Sequence, residues 1–110
     1  MFEIYQSEKS KDYYFRLKAK NGQIILSSQG YSSKSSCENG VESVRKNSAD
    51  AGRFERKEAT NGKHHFNLKA SNGQIIGSSQ MYASKDGMEN GIKSVQNNAP
   101  DAEVKDLTAA

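Results

Sequence analysis

The segment NGQIILSSQGYSSK at residues 21–34 returns as NGQIIGSSQMYASK at residues 72–85, an offset of 51. Aligning residues 15–51 with 66–102 keeps 23 identities in 37 pairs, which makes the chain a tandem duplication of one structural unit. Such a unit is marginal alone, because a domain near 60 residues buries only about 60% of the surface its unfolded chain exposes. The copies are therefore expected to share a core: residues 1–51 as the first repeat and 52–110 as the second, together one compact domain.

Within each copy the pattern changes period. Phe2-Glu3-Ile4-Tyr5 and residues 13–19 alternate apolar and polar, and residues 23–28 carry a short aliphatic run, which predicts three strands. Asn21-Gly22 and Asn72-Gly73 join the second strand to the third and predict two-residue type I′ turns. That register sets Ala19 opposite Ile24, Leu17 opposite Leu26 and Phe15 opposite Ser28; the second copy pairs Ala70 with Ile75, Leu68 with Gly77 and Phe66 with Ser79. At Thr60-Asn61-Gly62 a three-residue loop with left-handed Gly62 brings Phe54 opposite Leu68. A longer polar loop at residues 8–11 pairs Ile4 with Phe15 and Phe2 with Leu17.

Helices are predicted over 34–47 and 85–98, with Ser33 and Ser84 as N-caps and the stripes Cys37, Val41, Val44 and Met88, Ile92, Val95 facing the sheet. Gly40 and Gly91 beside those stripes indicate a close approach of the helix backbone. Tyr31 and Tyr82 are expected to pack over the ends of their sheets, the hydroxyl meeting water or a turn carbonyl. Residues 102–107 read as a short C-terminal strand, exchanged or completing an edge, with fraying from Thr108 to Ala110. The predicted fold class is α+β: a pseudo-dimer of two β-β-β-α repeats, each an antiparallel three-stranded sheet covered by one helix, plus that strand.

The motif N-G-x-I-I-x-S-S-x-x-Y-x-S-K, followed by a helix reading E-N-G-I/V-x-S-V, occurs at Asn21 to Lys34 with Glu38 to Val44 and at Asn72 to Lys85 with Glu89 to Val95. In this the chain resembles the YegP-like family of small bacterial proteins of unknown function. The resemblance implies two β3α units about an approximate two-fold axis and brings no assigned activity, catalytic residue or ligand.

Sixteen Lys and Arg against thirteen Asp and Glu leave a formal charge of +3, spread over both copies, so no basic cluster of the kind nucleic-acid binders carry stands out. The first ten residues lack a signal-peptide apolar run, and one cysteine cannot form an internal disulfide, which predicts a cytoplasmic protein without a membrane association. Adjacent His64 and His65 point to opposite faces of a strand and cannot converge on one metal. Cys37 is replaced by Met88 in the second copy, which favours a small core residue over a nucleophile. No catalytic residue, metal site or cofactor is expected. The candidate binding surface is the outer strand face, Tyr14, Arg16, Lys18, Ser27 and Gln29 with His65, Asn67, Lys69, Ser78 and Gln80, joined there by Ile25 and Ile76. An interaction module with an unidentified protein partner is the first expectation, and a nucleic-acid-binding module using the basic strands the second. The chain is expected to be a monomer with internal pseudo-symmetry or a weak homodimer.

Overall fold

A computed structural model, describing residues 1–108, orders the chain as β1 (Phe2–Gln6), β2 (Tyr13–Lys18), β3 (Ile24–Ser27) and α1 (Lys34–Asn47), then a short 3-10 turn at Ala51–Arg53. The second copy follows as β4 (Phe54–Glu58), β5 (His64–Lys69), β6 (Ile75–Ser78) and α2 (Lys85–Asn98), and β7 (Val104–Asp106) closes the chain. Both helices match their predicted ranges. The Ser33 hydroxyl accepts from the Ser36 amide at 3.1 Å, and Ser84 accepts from Gly87 at 3.0 Å. Each cap contributes about 1 kcal/mol by satisfying an amide that the helix cannot.

The sequence left open how the two halves join. They meet edge to edge, through Ser27 opposite Ser78, so the sheet runs continuously in the order β4-β5-β6-β3-β2-β1-β7. β7 completes the edge of the first half, parallel to β1, with Phe2 opposite Val104 and Ile4 opposite Asp106. Thr108 is anchored, its amide donating to the Asp106 carboxylate at 2.8 Å, so fraying does not begin there; the rest of that expectation, residues 109 and 110, lies outside the described residues. Each helix lies over its own sheet and also reaches across the junction, α1 onto β6 and α2 onto β3. This crossing gives the halves one core, in which Phe2, Phe15, Leu17, Leu26, Val44, Phe66, Leu68 and Val95 are all fully buried. At the junction there is space for one leucine: a Cβ on Gly77 would stand 2.8 Å from Cγ of Leu26, which explains why the copies differ at this position.

The expected register holds along the outer hairpins, Ile4 opposite Phe15 and Phe54 opposite Leu68. It needs correction at the Asn-Gly turns. Only the glycines, Gly22 and Gly73, have positive φ, whereas a type I′ turn requires it at both central residues. The loops hold three residues: Gly22 donates its amide to Ala19, and Ala19 donates to Gln23, both at 2.9 Å. The pairing therefore starts one residue out of step, with Lys18 opposite Ile24 in place of Ala19. A bulge between Leu17 and Lys18 absorbs the extra residue and restores Leu17 opposite Leu26. β5 and β6 repeat it, Lys69 opposite Ile75 and Leu68 opposite Gly77.

Candidate functional site

The bulge decides which isoleucine faces outward. Ile25 and Ile76, expected on the outer face, are 5% and 8% exposed and belong to the core, while Ile24 is 40% exposed. An extra residue on one strand shifts the side-chain alternation by one position, so Ile24 takes the outer place that strict alternation would assign to Ile25. A binding surface built on Ile25 and Ile76 is therefore ruled out.

The remaining residues of that face fall into three groups. Two flanking banks are electrostatically closed. In the first, the buried carboxylate of Glu3 accepts from Arg16 Nε at 2.7 Å and stands 3.2 Å from Lys18 Nζ. Hydrogen bonding to Arg16 holds the Glu3 carboxyl below its ordinary range against the opposing cost of burial. Arg16 also lies 4.8 Å over the ring of Tyr5, on which Tyr14 is stacked. In the second bank Glu55 takes the part of Glu3, binding Lys69 at 2.8 Å and the Asn67 amide at 3.2 Å, with its carboxyl lowered chiefly by Lys69. Asn67 is buried and accepts in turn from the Ser78 hydroxyl at 2.7 Å. Half-buried His65 stands opposite Lys57.

Between the banks, over the β3–β6 junction, lies a shallow trough of about 440 Å³ lined by Ile24, Ser27, Ser28, Gln29, Ser78, Ser79 and Gln80. The repeated S-S-Q motif builds it, and its two serines differ in role. Ser28 and Ser79 mend the sheet where β3 and β6 end, accepting from the amides of Phe15 at 2.8 Å and Phe66 at 2.9 Å while donating to the carbonyls of Gln29 and Gln80. Ser27 and Ser78 face each other across the axis, and Gln29 and Gln80 are exposed at the rim.

Sequence reasoning found the cations of this face and missed the carboxylates that neutralise them, although Glu3 and Glu55 follow Phe2 and Phe54 alike. It also missed Ile24, because the Asn-Gly pair hides the bulge. Tyr31 and Tyr82 take part in packing: each pairs its backbone with Tyr13 or His64 and stacks its ring on Phe15 or Phe66, at 6.3 and 6.4 Å. Their hydroxyls lie over Gly40 and Gly91 and not at a turn carbonyl. Cys37 is fully buried on the sheet-facing side of α1, and burial pushes its thiol up to about 11, the reverse of what a nucleophile needs. Among the described residues no helix is long and apolar enough to cross a membrane.

Comparison with known proteins places this geometry. The profile of a domain of unknown function, DUF1508, matches twice, over residues 8–55 and 59–106. A UPF0339 protein in the 5′ region of the ptx operon of Stutzerimonas stutzeri is 55% identical over 106 residues, covering 96% of this chain and 95% of that protein. The UPF0339 protein YegP of Escherichia coli K12 is 54% identical over 106 residues, 94% and 96% of the two chains. The solution NMR structure of Escherichia coli yegP, described as a protein of unknown function, superimposes with a TM-score of 0.92 at 51% identity, over 99% of this chain and 93% of that one. A UPF0339 protein from Shewanella oneidensis gives 0.91 at 47% identity, over 96% and 89%. The fold and the resemblance read from the motifs both stand.

Proposed function

The chain belongs to the DUF1508 family as a tandem two-copy member, and from that premise we propose that it works as a non-enzymatic interaction module, its outer sheet face binding a protein partner across the two-fold trough. The observation that carries this reading is the lining of the trough: serines, glutamines and one isoleucine, with no titratable group among them. General acid–base or nucleophilic chemistry needs such a group within reach of the reacting atom. A shallow, hydroxyl- and amide-lined surface instead suits a complementary polar backbone or side-chain surface. Charge favours a protein over nucleic acid, because Glu3 and Glu55 already hold Arg16, Lys18 and Lys69. In this reading the protein acts in the cytoplasm as a monomer, its repeats 1–51 and 52–110 serving as one compact domain.

Photo-cross-linking tests the proposal. A photoreactive residue at Gln29 or Gln80 should capture the partner in living cells, and one at exposed Lys46 on α1 should not. Adding Ser27→Arg and Ser78→Arg should abolish capture while the amide spectrum stays folded. Capture at Gln29 no greater than at Lys46 refutes it.

A further inference from the structure

The pseudo-two-fold relation is broken at the ends of the sheet. β1 has β7 beyond it, whereas β4, its counterpart, is terminal among the described residues. The Phe2 amide donates to Glu103 at 2.7 Å, and the Leu107 amide donates to the Ile4 carbonyl at 2.8 Å. At the level of Ile4, Asp106 forms an ion pair with Lys34; Cys37 lies about one turn further along α1, and Tyr13 stands opposite Gln6 at the end of β1. The duplication maps Lys34, Tyr13 and Cys37 onto Lys85, His64 and Met88. Those three residues, with Arg56, Lys57 and Glu58, line a depression of about 180 Å³ beside the β4 edge. The second copy thus keeps the receptacle that Asp106 fills in the first.

We propose that the β4 edge and this depression dock an extended segment of a partner protein, parallel to β4, with an apolar residue beside Phe54 and a carboxylate two positions later beside Arg56 and Lys85. The proposal rests on the reading of the protein as an interaction module and names a second surface for it. Where the first copy has Ile4 at the carboxylate's level, the second has Arg56, so the depression is lined by Arg56, Lys57 and Lys85 against Glu58, with Glu89 paired to Arg56 at its side. Charge complementarity therefore selects an acidic residue more strongly here than on β1. Arg56 now spans Glu89, at 2.5 and 3.1 Å, and leans on the Phe54 carbonyl at 3.4 Å. That last contact is too long to be strong, and an incoming strand replaces it with a ladder bond.

A second copy fits less well. Two β4 edges pairing antiparallel about Arg56 would set Arg56 against Arg56, and like charges directly opposite destabilise a sheet. A second copy's β7 is already engaged on its own β1.

The probe is the blocked hexapeptide of residues 102–107, Ala-Glu-Val-Lys-Asp-Leu, titrated into the isotope-labelled protein. Concentrations of about 5 mM reach the millimolar affinity of a weak strand addition. Tethering holds the chain's own β7 at a comparable effective concentration, so the free peptide displaces it only in part, and any shifts of residues 2–6 accompany those at β4. Saturable shifts of the amides of residues 54–58, 64 and 85 are expected. Replacing the peptide's Asp by Asn, or Lys85→Glu in the protein, should weaken binding at least about tenfold, since a charge-assisted contact is removed. Shifts confined to residues 2–6 and 34, equal binding of the Asp and Asn peptides, or concentration-dependent dimerisation that produces the β4 shifts without peptide would each overturn the proposal. None of these outcomes touches capture at Gln29, so the two readings fail separately.

Discussion

The Tyr31 hydroxyl lies 2.5 Å from where a Cβ on Gly40 would stand, with Cε2 of Phe15 at 2.9 Å. Glycine in a helix interior ordinarily costs about 1 kcal/mol against alanine, so at an open position Gly→Ala would stabilise. Here the added methyl overpacks a tyrosine stacked on a buried phenylalanine. Gly40→Ala should therefore lower the unfolding free energy by about 1–3 kcal/mol. Adding Tyr31→Phe should recover part of that loss, and urea denaturation of the four combinations measures the coupling. A stabilising Gly40→Ala would contradict the packing.

Gly22 presents the opposite case, with φ at +85° and nothing within 4 Å of its virtual Cβ. Its cost is conformational alone. Gly22→Ala should lose about 1–2 kcal/mol, the penalty for an L-residue in left-handed backbone, and Gly22→Asn distinctly less. Equal losses for Ala and Asn in urea melts would point to another cause.

Lys34 holds the Asp106 carboxyl at about 2, below its ordinary 3.8. The folded state thus favours the ionised form, so this contribution is complete above 3.8 and is lost as the pH falls towards 2. The amides of residues 104–107 should move towards unfolded positions across that interval in the wild type. Asp106→Asn should show the displacement already at neutral pH and little further change. Glu3, Glu55 and Glu89, also held below their ordinary range, lower global stability in the same direction, so amides of β2 serve as the reference.

Replacing Glu3 and Glu55 together by glutamine should turn the outer face basic. Arg16, Lys18 and Lys69 lose their partners, and retention on heparin should rise, and should fall more steeply with salt than that of the wild type. The wild type should pass heparin at about 0.05 M salt, where surface attraction is least screened. Strong salt-sensitive retention of the wild type would revive the nucleic-acid reading.

Much of this fold was legible because duplication supplied an internal check: Phe2, Phe15, Leu17 and their counterparts carry matching patterns, and both helices announce their caps at Ser33 and Ser84. The Asn-Gly dipeptide misled because it suits a three-residue loop with one left-handed glycine as well as a type I′ turn, and the compensating bulge leaves Leu17–Leu26 unchanged while exchanging Ile24 with Ile25. The site was less legible. Charge neutralisation joins Glu3 to Arg16 and Lys18 across strands, 13 residues apart for the Arg16 bond, and the trough exists only once β3 meets β6. No local pattern encodes a meeting between two distant edges.

That meeting joins like to like. Ser27 answers Ser78 about a two-fold axis, and each helix leans over its neighbour's strand. Nothing in such a handshake depends on both hands belonging to one polypeptide. The covalent link between α1 and β4 fixes stoichiometry and spares the concentration dependence of assembly, and it frees the halves to diverge, as Leu26 and Gly77, or Ile4 and Arg56, already have.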